Sequence, residues 1–155
     1  MPLVKSFIFS WQLLRSNLYL VKVGAREVVI IDPSDLGAKT LDYLEEHALT
    51  PVAVLLTHGH FDHVRGLKRL IETYHLPIYL GKGEKELLRD NLFFRGNYDF
   101  ILENGDLHFV EDKEKIKIGN QEFLVISTPF HSLGSVCYYL KNEGLVFTGD
   151  TLFKE

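Results

Sequence analysis

The chain has one cysteine in 155 residues, so it cannot close a disulfide within itself. Cys137 lies in an apolar, strand-like run, where a small thiol fills core space; a catalytic thiol is the competing reading. Long hydrophobic runs are missing too. The N-terminal apolar residues Val4, Phe7, Ile8, Phe9, Trp11, Leu13 and Leu14 are interrupted by Lys5, Gln12 and Arg15. No small-residue cleavage site follows them, which argues against a signal peptide. Nowhere does an apolar stretch approach the length of a membrane-spanning helix, so no membrane partner is expected. Cationic residues form no stripe and the formal net charge is −4, which disfavours nucleic acid as a partner. These absences predict a cytoplasmic protein whose residues 1–155 form one domain, with 46% hydrophobic residues to build its core.

What the chain does hold is a concentration of metal-binding side chains. His58-Gly59-His60-Phe61-Asp62-His63 directly follows the apolar run 52–56. Imidazole and carboxylate hold zinc or iron while leaving coordination positions free for water, whereas a structural zinc knot more often uses cysteine. In an extended loop alternate residues point the same way, so His58, His60 and Asp62 are expected to converge, with His63 facing a second position. The bland reading is a solvated loop that happens to carry histidines.

Around this motif the pattern alternates strands and helices. Residues 17–23 and 27–31 are rich in β-branched and aromatic side chains and flank Gly24-Ala25-Arg26, which predicts a hairpin. Asp32-Pro33-Ser34-Asp35 breaks the second strand and offers a cap for a helix carrying Leu41, Leu44 and Ala48. The run 52–56 is uniformly apolar, as in a strand covered on both faces. The ligand loop then falls at a strand's C-terminal end, where open α/β sheets place their sites. Val64, Leu67, Leu70, Ile71 and Tyr74 mark a second amphipathic helix. A short strand at 77–80 and a short helix at 84–89 follow. The aromatic segment 91–100 shows no period; it reads as a loop that either packs on the core or walls a cleft. Strands at 115–118, 121–127, 135–140 and 145–147 close the chain, which predicts an α/β fold of sheet packed on sheet with helices outside.

Two later segments stand where strands end: Thr128-Pro-Phe-His-Ser-Leu-Gly-Ser135, presenting His131, and Thr148-Gly-Asp-Thr-Leu-Phe153, presenting Asp150. Alone each is weak. With the first motif they add a third nitrogen for one metal and a carboxylate able to bridge two. Together with Asn17-Leu-Tyr-Leu-Val21 and Ile31-Asp-Pro33, these segments resemble the metallo-β-lactamase-fold hydrolase superfamily, and within it the glyoxalase II-like (hydroxyacylglutathione hydrolase-like) branch. The likeness runs in order along nearly the whole chain.

That resemblance implies an αββα sandwich and two divalent cations, zinc first, with iron or manganese as alternatives. It assigns His58, His60 and His131 to one cation, Asp62 and His63 to the other, and Asp150 to both. Asp32 would orient the ligand loop, or else simply end a strand. His47, His75 and His108 match no ligand position. The implied reaction is hydrolysis of a small-molecule thioester by a hydroxide held between the cations, with Asp62 orienting it or handling its proton. Two alternatives stay open. One is a mononuclear iron persulfide dioxygenase using His58, His131 and Asp150; the other is an inactive metal-binding domain.

The chain departs from the family pattern in two places. Phe130 replaces a usual glycine, and if φ is positive there it costs roughly 1–2 kcal/mol. Family members also continue past the bridging-aspartate motif to a final histidine, whereas this sequence stops at Glu155. The expectation is therefore a sandwich incomplete at its C-terminus, with exposed apolar edges that a homo-oligomer would cover.

Overall fold

The computed structural model describes residues 1–11, 14–34, 36–89 and 97–150. Its larger sheet runs in the order β1 (Val4–Trp11), β2 (Leu14–Lys22), β3 (Glu27–Ile31), β4 (Thr50–Leu55), β5 (Pro77–Gly81), β6 (Asp106–Val110). The first three strands are antiparallel neighbours; β3 to β6 pair parallel, joined by helical crossovers. The smaller sheet is antiparallel, ordered β10 (Leu145–Phe147), β9 (Val136–Leu140), β8 (Gln121–Ser127), β7 (Lys115–Ile118). The helices are α1 (Ala38–Glu46), α2 (Phe61–Val64), α3 (Leu67–Tyr74), α4 (Glu84–Arg89) and α5 (Asn97–Asn104).

Side-chain alternation along the central strands fills two cores at once. Val28 and Ile30 point to a helix-side core with Leu44 of α1, Leu67 and Leu70 of α3 and Ile101 of α5. Val29 and Ile31 point the other way, into a core shared with Phe123, Val125 and Tyr138 of the smaller sheet. All four are fully buried, which is why these strands lack the polar-apolar alternation of a half-exposed strand. Each such side chain contributes roughly 1.5–3 kcal/mol by leaving water. The expected order of layers, helix on sheet on sheet, is present. At the edges, Ile8 of β1 is 59% exposed and Val146 of β10 is 50% exposed.

Several local expectations change. Asp32 does not cap α1: the N-cap is Gly37, without a side-chain bond, and the Asp32 carboxylate is taken up by Thr57 and His63. Asp35 lies outside the described residues. Ala48 falls beyond α1 at φ 50°. The second helix divides at Arg65-Gly66 into α2 and α3. Within 91–100, residues 91–96 lie outside the description, and Asn97 onward is helical. The period emerges only with Ile101 and Leu102, which pack on the helix-side core together with Phe100. Strands β1 and β6 had no counterpart in the sequence reading; β6 buries only Val110 fully. Phe130 is not among the positive-φ residues, so the glycine replacement brings no backbone strain.

Candidate metal centre

The tips of both sheets converge on one spot. Val136 N–H donates to Thr57 O at 2.9 Å, and the buried Tyr138 hydroxyl donates to Leu56 O at 2.7 Å. The end of β4, where the ligand loop begins, is thus tied to β9 of the opposite sheet. The Thr148–Asp150 turn after β10 packs on the same residue: Gly149 has φ +53°, and a Cβ there would collide with the Thr57 hydroxyl. Only glycine serves both conditions.

His58, His60, His131 and Asp150 offer one ligand atom each within 4.8 Å of one another, and so do Asp62, His63 and Asp150. Asp150 is common to both groups. Its Oδ2 lies 3.3 Å from His58 Nε2 and 3.0 Å from His131 Nε2, while its Oδ1 lies 3.2 Å from His63 Nε2. All six sequence-predicted residues are therefore brought together. The convergence of His58, His60 and Asp62 expected from an extended loop holds only for the two histidines. His60 has extended backbone at φ −63°, ψ 144°, and then caps α2, so Asp62 turns away to join His63. By contrast, His47 and His108 stack on Tyr43 and Tyr79 and His75 is exposed at the end of α3, as expected of residues outside the site.

Hydrogen bonds fix which ring nitrogens face inward. The Thr57 hydroxyl donates to Asp32 Oδ2 at 2.6 Å, so at 3.0 Å His58 Nδ1 must donate to the hydroxyl oxygen. That leaves His58 Nε2 with a bare lone pair. His63 Nδ1 donates to Asp32 Oδ2 at 2.9 Å, which turns its Nε2 toward Asp62 and Asp150. Both Nε2 atoms are buried without a hydrogen-bond partner. Buried polar atoms are normally satisfied, so two orphaned nitrogens aimed at one carboxylate fit a cation. His60 Nδ1 and His131 Nε2, 2.9 Å apart, complete the nitrogen set.

Asp32, which sequence alone left between a turn residue and a support for the loop, is 1% exposed and also accepts Thr57 N–H at 2.8 Å. It sits at φ 49°, a conformation that aspartate tolerates better than most residues. Thr57 itself went unassigned in the sequence; its hydroxyl links Asp32 to His58.

Electrostatics follow from this crowding. Burial works against charge on His63, but the Asp32 and Asp150 carboxylates outweigh it and raise its pKa from 6.5 to about 10. For Asp150, burial pushes upward, yet His58 and His63 hold it well below the ordinary carboxylate value. Burial, with His58 and His131 alongside, lowers the pKa of His60.

A pH dependence follows with a definite sign. A raised histidine pKa gives stability that is complete below 6.5 and lost as pH rises through about 10. The melting temperature of the metal-free chain should accordingly fall across that window. Cations compete with the same proton, so the added stability of the zinc-loaded chain should be lost on acidification. Thermal melts with chelator and with zinc test both; a metal-free melting temperature that rises from neutral to alkaline pH would count against the His63 assignment.

A two-sheet sandwich with imidazoles and carboxylates gathered at its strand tips, around one shared aspartate, defines a metal-binding protein of the metallo-hydrolase class. The chain belongs to the metallo-beta-lactamase superfamily, which it matches over residues 11–155. It is 36% identical to the Bacillus subtilis (strain 168) protein named "Probable metallo-hydrolase YqgX", over 91% of this chain and 68% of that one. It is 34% identical to the hydroxyacylglutathione hydrolase of Pectobacterium atrosepticum, covering 88% of this chain but 47% of the relative. Among solved structures, the BLEG-1 B3 metallo-beta-lactamase aligns with a TM-score of 0.79 at 31% identity, over 97% of this chain and 73% of that one. TTHA1623 in a di-iron-bound form aligns at 0.75 and 32%, over 96% and 73%. Among the described residues, no helix is long and apolar enough to cross a membrane.

Proposed function

We propose that the chain is a metal-dependent hydrolase of small-molecule thioesters, of the hydroxyacylglutathione hydrolase kind. The observation that carries this reading is the division of Asp150, whose two oxygens face different histidine groups. One carboxylate so placed suits a pair of cations better than a single one. His58, His60 and His131 would hold one cation and Asp62 and His63 the other. When bound, such a pair lowers the pKa of water and polarises a carbonyl. Zinc suits the nitrogen-rich set; iron is the alternative, because a relative at 32% identity is known in a di-iron-bound form.

The remaining work falls to the chain's own groups. Asp62 is 8% exposed and 3.5 Å from His63 Nε2, so one carboxylate oxygen can orient the attacking water and receive its proton. His63 cannot drift, because Asp32 holds its far nitrogen. A thiolate departs with little acid assistance.

Thiol release from a hydroxyacylglutathione thioester, with zinc, iron or manganese supplied, tests the proposal. Asp62→Asn should lower kcat by about 100-fold or more. Release that is indifferent to both chelator and Asp62→Asn would sink the hydrolase reading, and oxygen consumption with an iron-loaded chain would favour the dioxygenase instead.

A further inference from the structure

Glu84 is a fully buried carboxylate with 0% exposure, outside the ligand set and 21 positions after His63. It opens the short helix α4. Instead it accepts hydrogen bonds from two separate loops. Oε2 takes Gly59 N–H at 2.7 Å, in the loop between His58 and His60. Oε1 takes the Ser132 hydroxyl at 2.7 Å and Gly134 N–H at 2.9 Å, in the loop carrying His131. Backbone contact makes this possible: Gly134 lies directly on Gly81, where a Cβ would collide with the Gly134 carbonyl oxygen. A buried charge is costly unless hydrogen-bonded, and here three donors from two ligand loops satisfy it.

We propose that Glu84 is a positioning residue that sets the spacing of His60 against His131 by clamping their two loops to one carboxylate. The proposal rests on the metal-centre reading above. Those two rings come from segments 71 positions apart, and their facing nitrogens stand 2.9 Å from each other. Ser132 is the residue next to His131, and Gly59 the residue before His60, so a slip of either loop on Glu84 moves a ring directly. His58 is held independently, through Thr57 and Asp32. The clamp therefore acts on His60 and His131, while His63 is held by Asp32.

Glu84→Gln keeps the shape but turns an amide NH2 against one of the N–H donors. Ser132→Ala removes the hydroxyl that meets both Glu84 Oε1 and Ser135 Oγ, and leaves the buried carboxylate its two backbone donors, Gly59 and Gly134. Stepwise zinc affinities would be measured by chelator competition, with the ¹⁵N shifts of the His60 and His131 rings reporting which position fills. Both variants should weaken the three-histidine position by about 10–100-fold and leave the other within a few-fold. Amide exchange at Gly59 and Gly134 should quicken together in metal-free Glu84→Gln. Should Glu84→Gln fail to fold, the Ser132→Ala affinities decide. Zinc affinities within twofold of the unmodified chain, or equal weakening at both positions, would overturn the clamp. An unmodified chain that takes up no zinc would instead overturn the metal-centre reading, and the proposal with it.

Discussion

Asp150→Ala is expected to reduce metal loading from about two cations per chain to less than one, the largest loss from any single substitution in the centre. Asp150 belongs both to the group of His58, His60 and His131 and to that of Asp62 and His63, and its contacts reach His58, His63 and His131. Removing it takes away the negative charge that offsets two cations and leaves four imidazoles crowded around an empty space. His58→Ala should be milder, because it strips one nitrogen from one position and leaves Asp62, His63 and Asp150 in place. His75→Ala should change nothing, since His75 is exposed at the C-terminal end of α3. Metal analysis of the three purified variants is the measurement. Equal loss in all three would mean that metal uptake has nothing to do with the strand-tip cluster.

The sequence revealed the centre unevenly, and the reason is distance along the chain. His58 to His63 was readable because four ligand side chains stand close together after an apolar strand. His131 and Asp150 were individually unremarkable strand-end residues; only the resemblance linked them to the motif. Their meeting depends on two sheets packing face to face, through residues such as Val29, Ile31, Phe123 and Tyr138. Glu84 and Thr57 were not readable at all. What buries Glu84 is a glycine-on-glycine contact between positions 81 and 134, and no local pattern encodes a backbone landing so far away. The core strands were read correctly because full burial on both faces leaves an unbroken apolar run. Strands β1 and β6 went unread; both are edges of the larger sheet, and β6 buries only Val110 fully.

Asp32→Ala should destabilise the chain by about 3–5 kcal/mol even without metal, which is the cost of breaking a buried charged pair by removing one partner. The carboxylate takes Thr57 N–H, the Thr57 hydroxyl and His63 Nδ1, and none of the three has water to turn to. Asp32→Asn separates charge from geometry. Asparagine accepts the φ of 49° as readily as aspartate, so the backbone need not move. Its amide, however, can satisfy only part of the donor set, and it carries no charge to hold the proton on His63. The Asp32 charge is the foremost of the effects that raise the His63 pKa to about 10. In the asparagine variant that pKa should fall back toward 6.5, and with it the loss of stability between 6.5 and about 10 should shrink. Melts of both variants over this range, with chelator present, distinguish a support for His63 from an ordinary strand-ending turn. If Asp32 merely ends β3, Asp32→Asn will melt like the unmodified chain and keep its pH profile. If the carboxylate holds His63, the same conservative change will lower the melting temperature at neutral pH and flatten the profile. It should also weaken zinc at the Asp62–His63 position, because the imidazole is then free to turn away from the second cation.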